Sequence, residues 1–494
     1  MASYPNTPIP DKGAKVSVLT YLITAIYVLL LMMIFGLLLR LEHAQYFSMG
    51  EAWFYKIMTL HGVGMVGMAG IAGAAIMWHF LREYVDLSEG IFAINWALFL
   101  AGVILILGSV FFGNFAGAWT FLYPLPSHPM GTWFGGASPL FLGGLLLISI
   151  GFFLLYLDTA RAIIARYGNL ARALGWPQLF GPDDGKAPPP TVVASTMVTI
   201  VNLAALLMGT SILTMMLVNL FAPSFAIDPL LAKGMIYMFG HTFINSTIYM
   251  AVIAVYEILP RYTQRPWKSN KVFLASWTAA TVMVMSVFPH HLLMDYAYPK
   301  WVLVLGQVLS YTSTLPIIVV TGFGAMMIVY RSGIRWDMCT RFLFVSLFGW
   351  SAGVIPAFID GTISINYVMH NTLWVPGHFH IYLMLGMVSM LFGFMYYLGK
   401  PHQDAQDSCL DVAAFWGFTV GTIGFALSFL YGGKESVPRR WAVHIMPEWL
   451  PADRIASAFT VLIIACVLVF IVRFIIRMGP SGRDYTRASI AVAA

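Results

Sequence analysis

Apolar residues run through this chain in long unbroken stretches, with little of the alternation expected of a water-facing surface. Twelve of these stretches are near or above the roughly 17 to 25 residues that a helix needs to cross a bilayer. They lie near 16–40, 52–80, 91–115, 138–158, 193–220, 233–259, 272–293, 301–330, 341–364, 372–398, 411–431 and 455–477. The pattern predicts an all-α, polytopic membrane protein with twelve transmembrane helices, read as one domain over 1–494. The composition, 59% hydrophobic and 10% charged over 494 residues, excludes a soluble globule. The stretch 167–191, with its Pro, Gly and Asp183-Asp184, is the nearest thing to a linker. A polar leader precedes the first span with no small-residue cleavage site behind it, so residues 1–15 are expected to stay on the chain.

Twelve spans put both termini on one side. Of the 27 Lys and Arg, 19 fall on that side and eight on the other, which the positive-inside rule makes the cytoplasmic side of a bacterial-type inner membrane. The formal charge of +6 therefore reflects topology and contact with lipid, and it gives no reason to invoke nucleic acid. Cys339, Cys409 and Cys466 are too scattered for a disulfide framework or a paired metal site. With no CxxCH, covalently attached c-type haem is not expected.

Six of the histidines inside these spans stand out: His61, His241, His290, His291, His378 and His380. Intramembrane ionisable residues are costly and default to a functional reading. A lone imidazole in a span is as often an interhelical hydrogen-bond donor. Four helices carrying histidines to one layer, roughly 9–13 Å below the outer surface at 1.5 Å per residue, argue for metals instead. Adjacent residues on a regular helix point about 100° apart, and Pro289 loosens the helix so that His290 and His291 can both reach one centre. His378 and His380, two apart, face nearly opposite ways and serve two different partners.

The strings "TLHGVGM" around His61, "GHTFIN" from His241, "PHH" ending at His291, "HNTLWVPGHFH" ending at His380 and "SVPRRW" around Arg439 and Arg440 resemble subunit I of the haem–copper oxidoreductases, the cytochrome c oxidases and their nitric oxide reducing relatives. "NTLWVPGHFH" with "VPRR" looks most like the B-type branch. The resemblance implies that His61 and His380 are axial ligands of a low-spin haem and that His378 is the proximal ligand of a high-spin haem. His241, His290 and His291 would hold copper facing it, the haems being of b type. Arg439 and Arg440 would pair with haem propionates as guanidinium forks do with carboxylates, with His370 beside them. Asn366 stands where B-type relatives carry an acid.

Asn245 is the most consequential departure. Oxidases of this type carry a tyrosine there, four residues after the first copper histidine and cross-linked to it, whereas an amide cannot be oxidised in that role. The seventh span offers no substitute over 272–291, and Tyr249 lies about 12 Å along the axis from His241. The positions aligned with the family's proton path are Val252, Ile317 and Val320, which leaves only Tyr256 polar and makes pumping by that route unexpected. Glu257 beside it reads as part of an interfacial pair.

Coupling two nitric oxide molecules needs two electrons, and dioxygen scission needs four. The sequence therefore points to a nitric oxide reductase on a B-type frame, with Asn245 positioning the gas, and with a cytochrome c oxidase reducing dioxygen to water as the alternative. Electrons would enter from a second subunit with an outer soluble domain, carrying for example a copper A centre, or from a cytochrome c. A secondary transporter, whose polar residues would sit at the midplane of a repeat interface, and a sensor haem protein, which has no use for a copper triad, fit these histidines poorly.

Overall fold

The computed structural model describes residues 16–118, 121–182, 185–399 and 407–478; the leader and Asp183-Asp184 lie outside the described residues. Twelve helices within them are long and apolar enough to cross a membrane. They run Val16–His43, Glu51–Leu81, Glu89–Phe111, Ala137–Tyr167, Pro190–Phe221, Pro229–Thr263, Lys271–Leu292, Lys300–Val329, Met338–Asp360, Trp374–Leu398, Cys409–Lys434 and Pro447–Met478. The described residues contain no strand, only one isolated bridge between Thr372 and Pro438. The segment read as a linker holds two short helices, Leu170–Ala173 and Trp176–Phe180.

Consecutive spans pack side by side, and the twelfth returns to the first. The second, sixth and tenth also touch one another. Their most apolar windows are 67%, 89% and 83% buried, against 28% for the third and 22% for the eighth. Small residues allow this close approach. A methyl group added at Gly73 of the second span would lie 3.0 Å from Cβ of Met250 on the sixth. Three of the four histidine-bearing spans are thus among the innermost helices, together with the fifth, whose window is 72% buried.

Three breaks in helical regularity fall in histidine-bearing spans. The seventh leaves α-helical geometry after Ser286 and finishes as a 3-10 turn, Phe288–Leu292, that carries both adjacent histidines. The tenth widens into a π-helix, Ile381–Val388, immediately after His380, a departure that often marks functional sites. The sixth is interrupted at Val252.

A polar hub ties the opposite ends of the second, fifth, sixth and tenth spans. Arg261 pairs with Glu83 at 2.8 Å and Glu257 at 3.3 Å and donates to the Tyr397 hydroxyl at 2.7 Å. Glu257 also accepts from Tyr84 at 2.8 Å and from Thr191. Glu257 is therefore a buried junction, and its partners are other than Tyr256, which bonds Thr321. That corrects its reading as half of an interfacial pair. Arg261→Met takes the cation from between two buried carboxylates, so destabilisation of about 3–5 kcal/mol is expected, checked as a lowered Tm of the detergent-solubilised protein.

Candidate metal and haem site

His61 and His380 face each other across the second and tenth spans, with ring centres 6.4 Å apart and planes within 16°. Two imidazoles bound on opposite sides of one metal, each through a bond of about 2.0 Å, place their ring centres roughly 6 Å apart. Each ring is held from behind by a backbone carbonyl: His61 Nδ1 bonds the Met32 oxygen at 2.7 Å and His380 Nδ1 the Pro376 oxygen at 2.6 Å. Those contacts fix the tautomer and leave Nε2 as the free donor atom. Gly36 gives the His61 ring its room, since a methyl group there would sit 2.9 Å from its Cε1.

His241, His290 and His291 form a second cluster, with one ring nitrogen from each lying within 4.8 Å of the others. The rings meet edge to face, with centres 4.3 to 4.9 Å apart. His241 Nδ1 and His291 Nε2 are 2.9 Å apart, and the buried Nδ1 of His290 has no hydrogen-bond partner among the described residues. Three convergent imidazole nitrogens fit a first-row metal such as copper and leave room for a further ligand. Asn245 Nδ2 lies 3.0 Å from His241 Nε2. The amide sequence reasoning assigned to the gas thus also braces a member of the triad.

Gly306 of the eighth span presses on this turn. A methyl group there would lie 2.8 Å from the Pro289 carbonyl carbon and 2.9 Å from the His290 nitrogen. Gly306→Ala must therefore move the backbone that aims His290, at a cost of about 1–3 kcal/mol. Lower bound copper per chain, measured by elemental analysis, is the expected result.

His378 turns the other way from His380, and its Nδ1 lies 3.7 Å from Asp360 Oδ2 at the end of the ninth span. The 435–446 loop is tied above this helix by Leu373 N to Val437 O at 2.9 Å and Arg439 N to Asn371 O at 3.0 Å. Backbone pairing therefore brings Arg439 to the start of the tenth span. Its buried Nε has no acceptor among the described residues, and burial, with Arg440 adding to it, pushes the guanidinium down to about 10. Burial likewise pushes His370 down to about 4, with Arg439, Arg440 and Lys233 adding to the effect. A buried cation with a spare donor and a cationic neighbour fits an anionic group such as a haem propionate.

Besides Asp360, three residues at these clusters or further along their spans were missed from sequence. Tyr237 stacks on His291 with ring centres 5.6 Å apart; its position one turn before His241 places it on the same helix face, so spacing could have revealed it. Thr321 bonds Tyr256 at 2.6 Å, so a buried hydroxyl adjoins Val320 in the eighth span. That span is interrupted at Ser313-Thr314, which shifts the inward face off the assumed register. Val252 and Ile317 are fully buried and apolar as read. Tyr249 packs against Trp277 and Trp350, with ring centres 5.8 and 5.9 Å away. Arg40, the third residue, is buried over the Phe429 ring that packs on His380 and pairs with Asp453 at 3.3 Å.

His43, His444 and Asp453 form another compact group. The two imidazoles stack in parallel at 3.9 Å, so their in-plane lone pairs do not converge. His43 Nε2 is taken by the Trp441 carbonyl, and Arg40 adds a cation. This is a hydrogen-bonded brace between the first and twelfth spans.

A family model described as Cytochrome C and Quinol oxidase polypeptide I matches residues 16–462. Cytochrome c oxidase subunit 1 of Thermus thermophilus is 23% identical over 447 residues, 85% of this chain and 75% of that one. Cytochrome c oxidase polypeptide 1 of Halobacterium salinarum is 24% identical over 455 residues, covering 87% and 71%. A heme-copper oxidase subunit I+III of Aeropyrum pernix is 22% identical over 94% of this chain and 57% of its own length. A heme-copper terminal oxidase dimer solved by cryo-EM superposes with a TM-score of 0.76 at 19% identity, over 94% of this chain and 85% of that one. With the family model running from residue 16 to 462 and reaching all twelve spans, the chain belongs to the subunit I family of the haem–copper oxidases.

Proposed function

We propose that His61 and His380 hold a low-spin haem, that His378 holds a high-spin haem, and that His241, His290 and His291 hold a copper ion facing it. The convergence of those three imidazoles carries this reading. When bound, a doubly ligated haem would relay electrons, and a singly ligated haem with copper would supply them to a diatomic gas. The chain's own residues set the rest. Arg439 and Arg440 receive propionates, Met32 and Pro376 carbonyls fix the low-spin pair, and Asn245 orients His241. The basic loops support a cytoplasmic location for both termini, with the haem-ligating histidines nearer the outer face. Electrons then enter from a partner subunit with an outer soluble domain or from a cytochrome c.

The geometry favours nitric oxide as substrate. Asn245, 3.0 Å from His241, fills the position of the oxidisable phenol, and two metals alone supply the two electrons needed. The relatives favour dioxygen, since those matching most of this chain are named cytochrome c oxidases. Tyr237, stacked on His291, puts an oxidisable ring beside the triad that a dioxygen reductase could use. Anaerobic nitric oxide loss with nitrous oxide formation, then dioxygen uptake on the same purified complex, decides between them. Fast nitric oxide turnover with feeble dioxygen uptake is expected, and vigorous reduction of dioxygen to water would overturn it.

A further inference from the structure

The three histidines assigned to haem iron are not supported alike. His61 and His380 each direct Nδ1 to a neutral backbone carbonyl, at 2.7 and 2.6 Å. His378 Nδ1 is buried with no hydrogen-bond partner among the described residues, and what faces it is the Asp360 carboxylate, Oδ2 at 3.7 Å. Asn366 holds that carboxylate from the far side, with Nδ2 donating to the Asp360 backbone oxygen at 2.7 Å and to Oδ1 at 3.3 Å. Oδ1 is thus occupied and Oδ2 is the oxygen left toward the imidazole. The side chains of His378 and Asp360 are only 18% and 13% exposed, so water competes little for this contact.

We propose that Asp360 is the positioning residue of the high-spin haem's ligand, accepting the Nδ1 proton of His378 and making its Nε2 a stronger electron donor. The inference rests on the reading that His378 binds iron through Nε2. An imidazole whose Nε2 lone pair is given to a metal keeps its proton on Nδ1, where it must donate. The 3.7 Å gap exceeds the roughly 2.7–3.2 Å of an N–H···O bond by less than an ångström, a distance that rotation of the carboxylate can close. A carboxylate behind a metal-bound imidazole pulls it toward imidazolate character and stabilises the oxidised metal; a carbonyl does so far less. Against a carbonyl-backed ligand, the carboxylate would therefore lower the potential of the high-spin haem. Asp360 also lies within electrostatic reach of Arg439, so a purely structural role beside the propionates is the competing account.

The iron–histidine stretching band of the reduced high-spin haem, read by resonance Raman, separates the two. Asp360→Asn is expected to lower its frequency and to raise that haem's midpoint potential by about tenfold in the redox equilibrium, ~59 mV for one electron, with the low-spin spectrum unchanged. Asp360→Glu should keep the band near its original place. An unmoved band and potential in Asp360→Asn with both haems bound would assign the carboxylate to Arg439 alone and overturn the proposal. Should Asp360→Asn fail to assemble, the unsubstituted protein still decides: a band no higher than that of the same haem with free neutral imidazole refutes the carboxylate's role. His378→Gly tests the underlying reading separately, because the band must vanish and return with added imidazole. If it persists unaltered, the ligand assignment itself is wrong.

Discussion

His290→Ala should abolish copper binding and cut gas reduction by about a hundredfold or more, while leaving the optical signature of the low-spin haem intact. The magnitude follows from what a bound metal contributes: several kcal/mol of stabilisation, with each 1.36 kcal/mol worth tenfold in rate. His290 is one of only three imidazoles in the cluster, and its Nδ1 has no hydrogen-bond partner among the described residues, so nothing else in the structure explains its buried polarity. The selectivity follows from position. His61 and His380 sit on the second and tenth spans, whereas His290 rides the 3-10 turn that ends the seventh. Elemental analysis with optical spectra of the reduced protein checks both parts. Retained copper at full stoichiometry, or loss of the low-spin bands, would contradict the assigned ligand set.

The twelve spans were readable because a bilayer demands long apolar runs, and nothing in the pairing of these helices contradicts that demand. The edges moved where the rule weakens. The fourth span was expected near 138–158 but continues to Tyr167, because its last turns carry Asp158, Arg161 and Arg166 and look like loop. The twelfth was expected from 455 but begins at Pro447, since Asp453 and Arg454 mask its start. Asp453 is in fact buried, paired with Arg40 and His444.

The histidines announced themselves by rarity, and Asn245 by its place in a string. What surrounds them did not. Asp360 reaches His378 only because the ninth span ends beside the start of the tenth, and an acid at a helix end reads as interfacial. The sequence also showed Asn366 where relatives carry an acid, without showing that Asn366 grips a carboxylate six residues earlier. Tyr237 was recoverable from its four-residue spacing. Thr321 was not, since its inward direction depends on the break in the eighth span.

Asn245→Leu should lower turnover of the preferred gas by about 10- to 100-fold, the range typical when a hydrogen-bond partner of a metal ligand is removed. The His241 ring gives the reason. Its Nδ1 already faces His291 Nε2 at 2.9 Å, so Nδ1 is the atom turned to the copper position and Nε2 keeps the proton. That Nε2–H must donate, and the only oxygen Asn245 can offer is Oδ1, so in the metal-bound site the amide presents its carbonyl to His241. Oxygen and nitrogen of an amide exchange by a simple flip, and the hydrogen-bond network decides which is where. The NH2 end is then freed to donate to a second acceptor, such as a gas bound beside His241. Leucine keeps the volume and removes both functions. Asn245→Asp keeps only the acceptor toward His241, so it should hold copper yet lose turnover. Equal turnover in Asp and Asn proteins would confine Asn245 to bracing the copper ligand, and full activity in the Leu protein would remove it from the site's chemistry altogether.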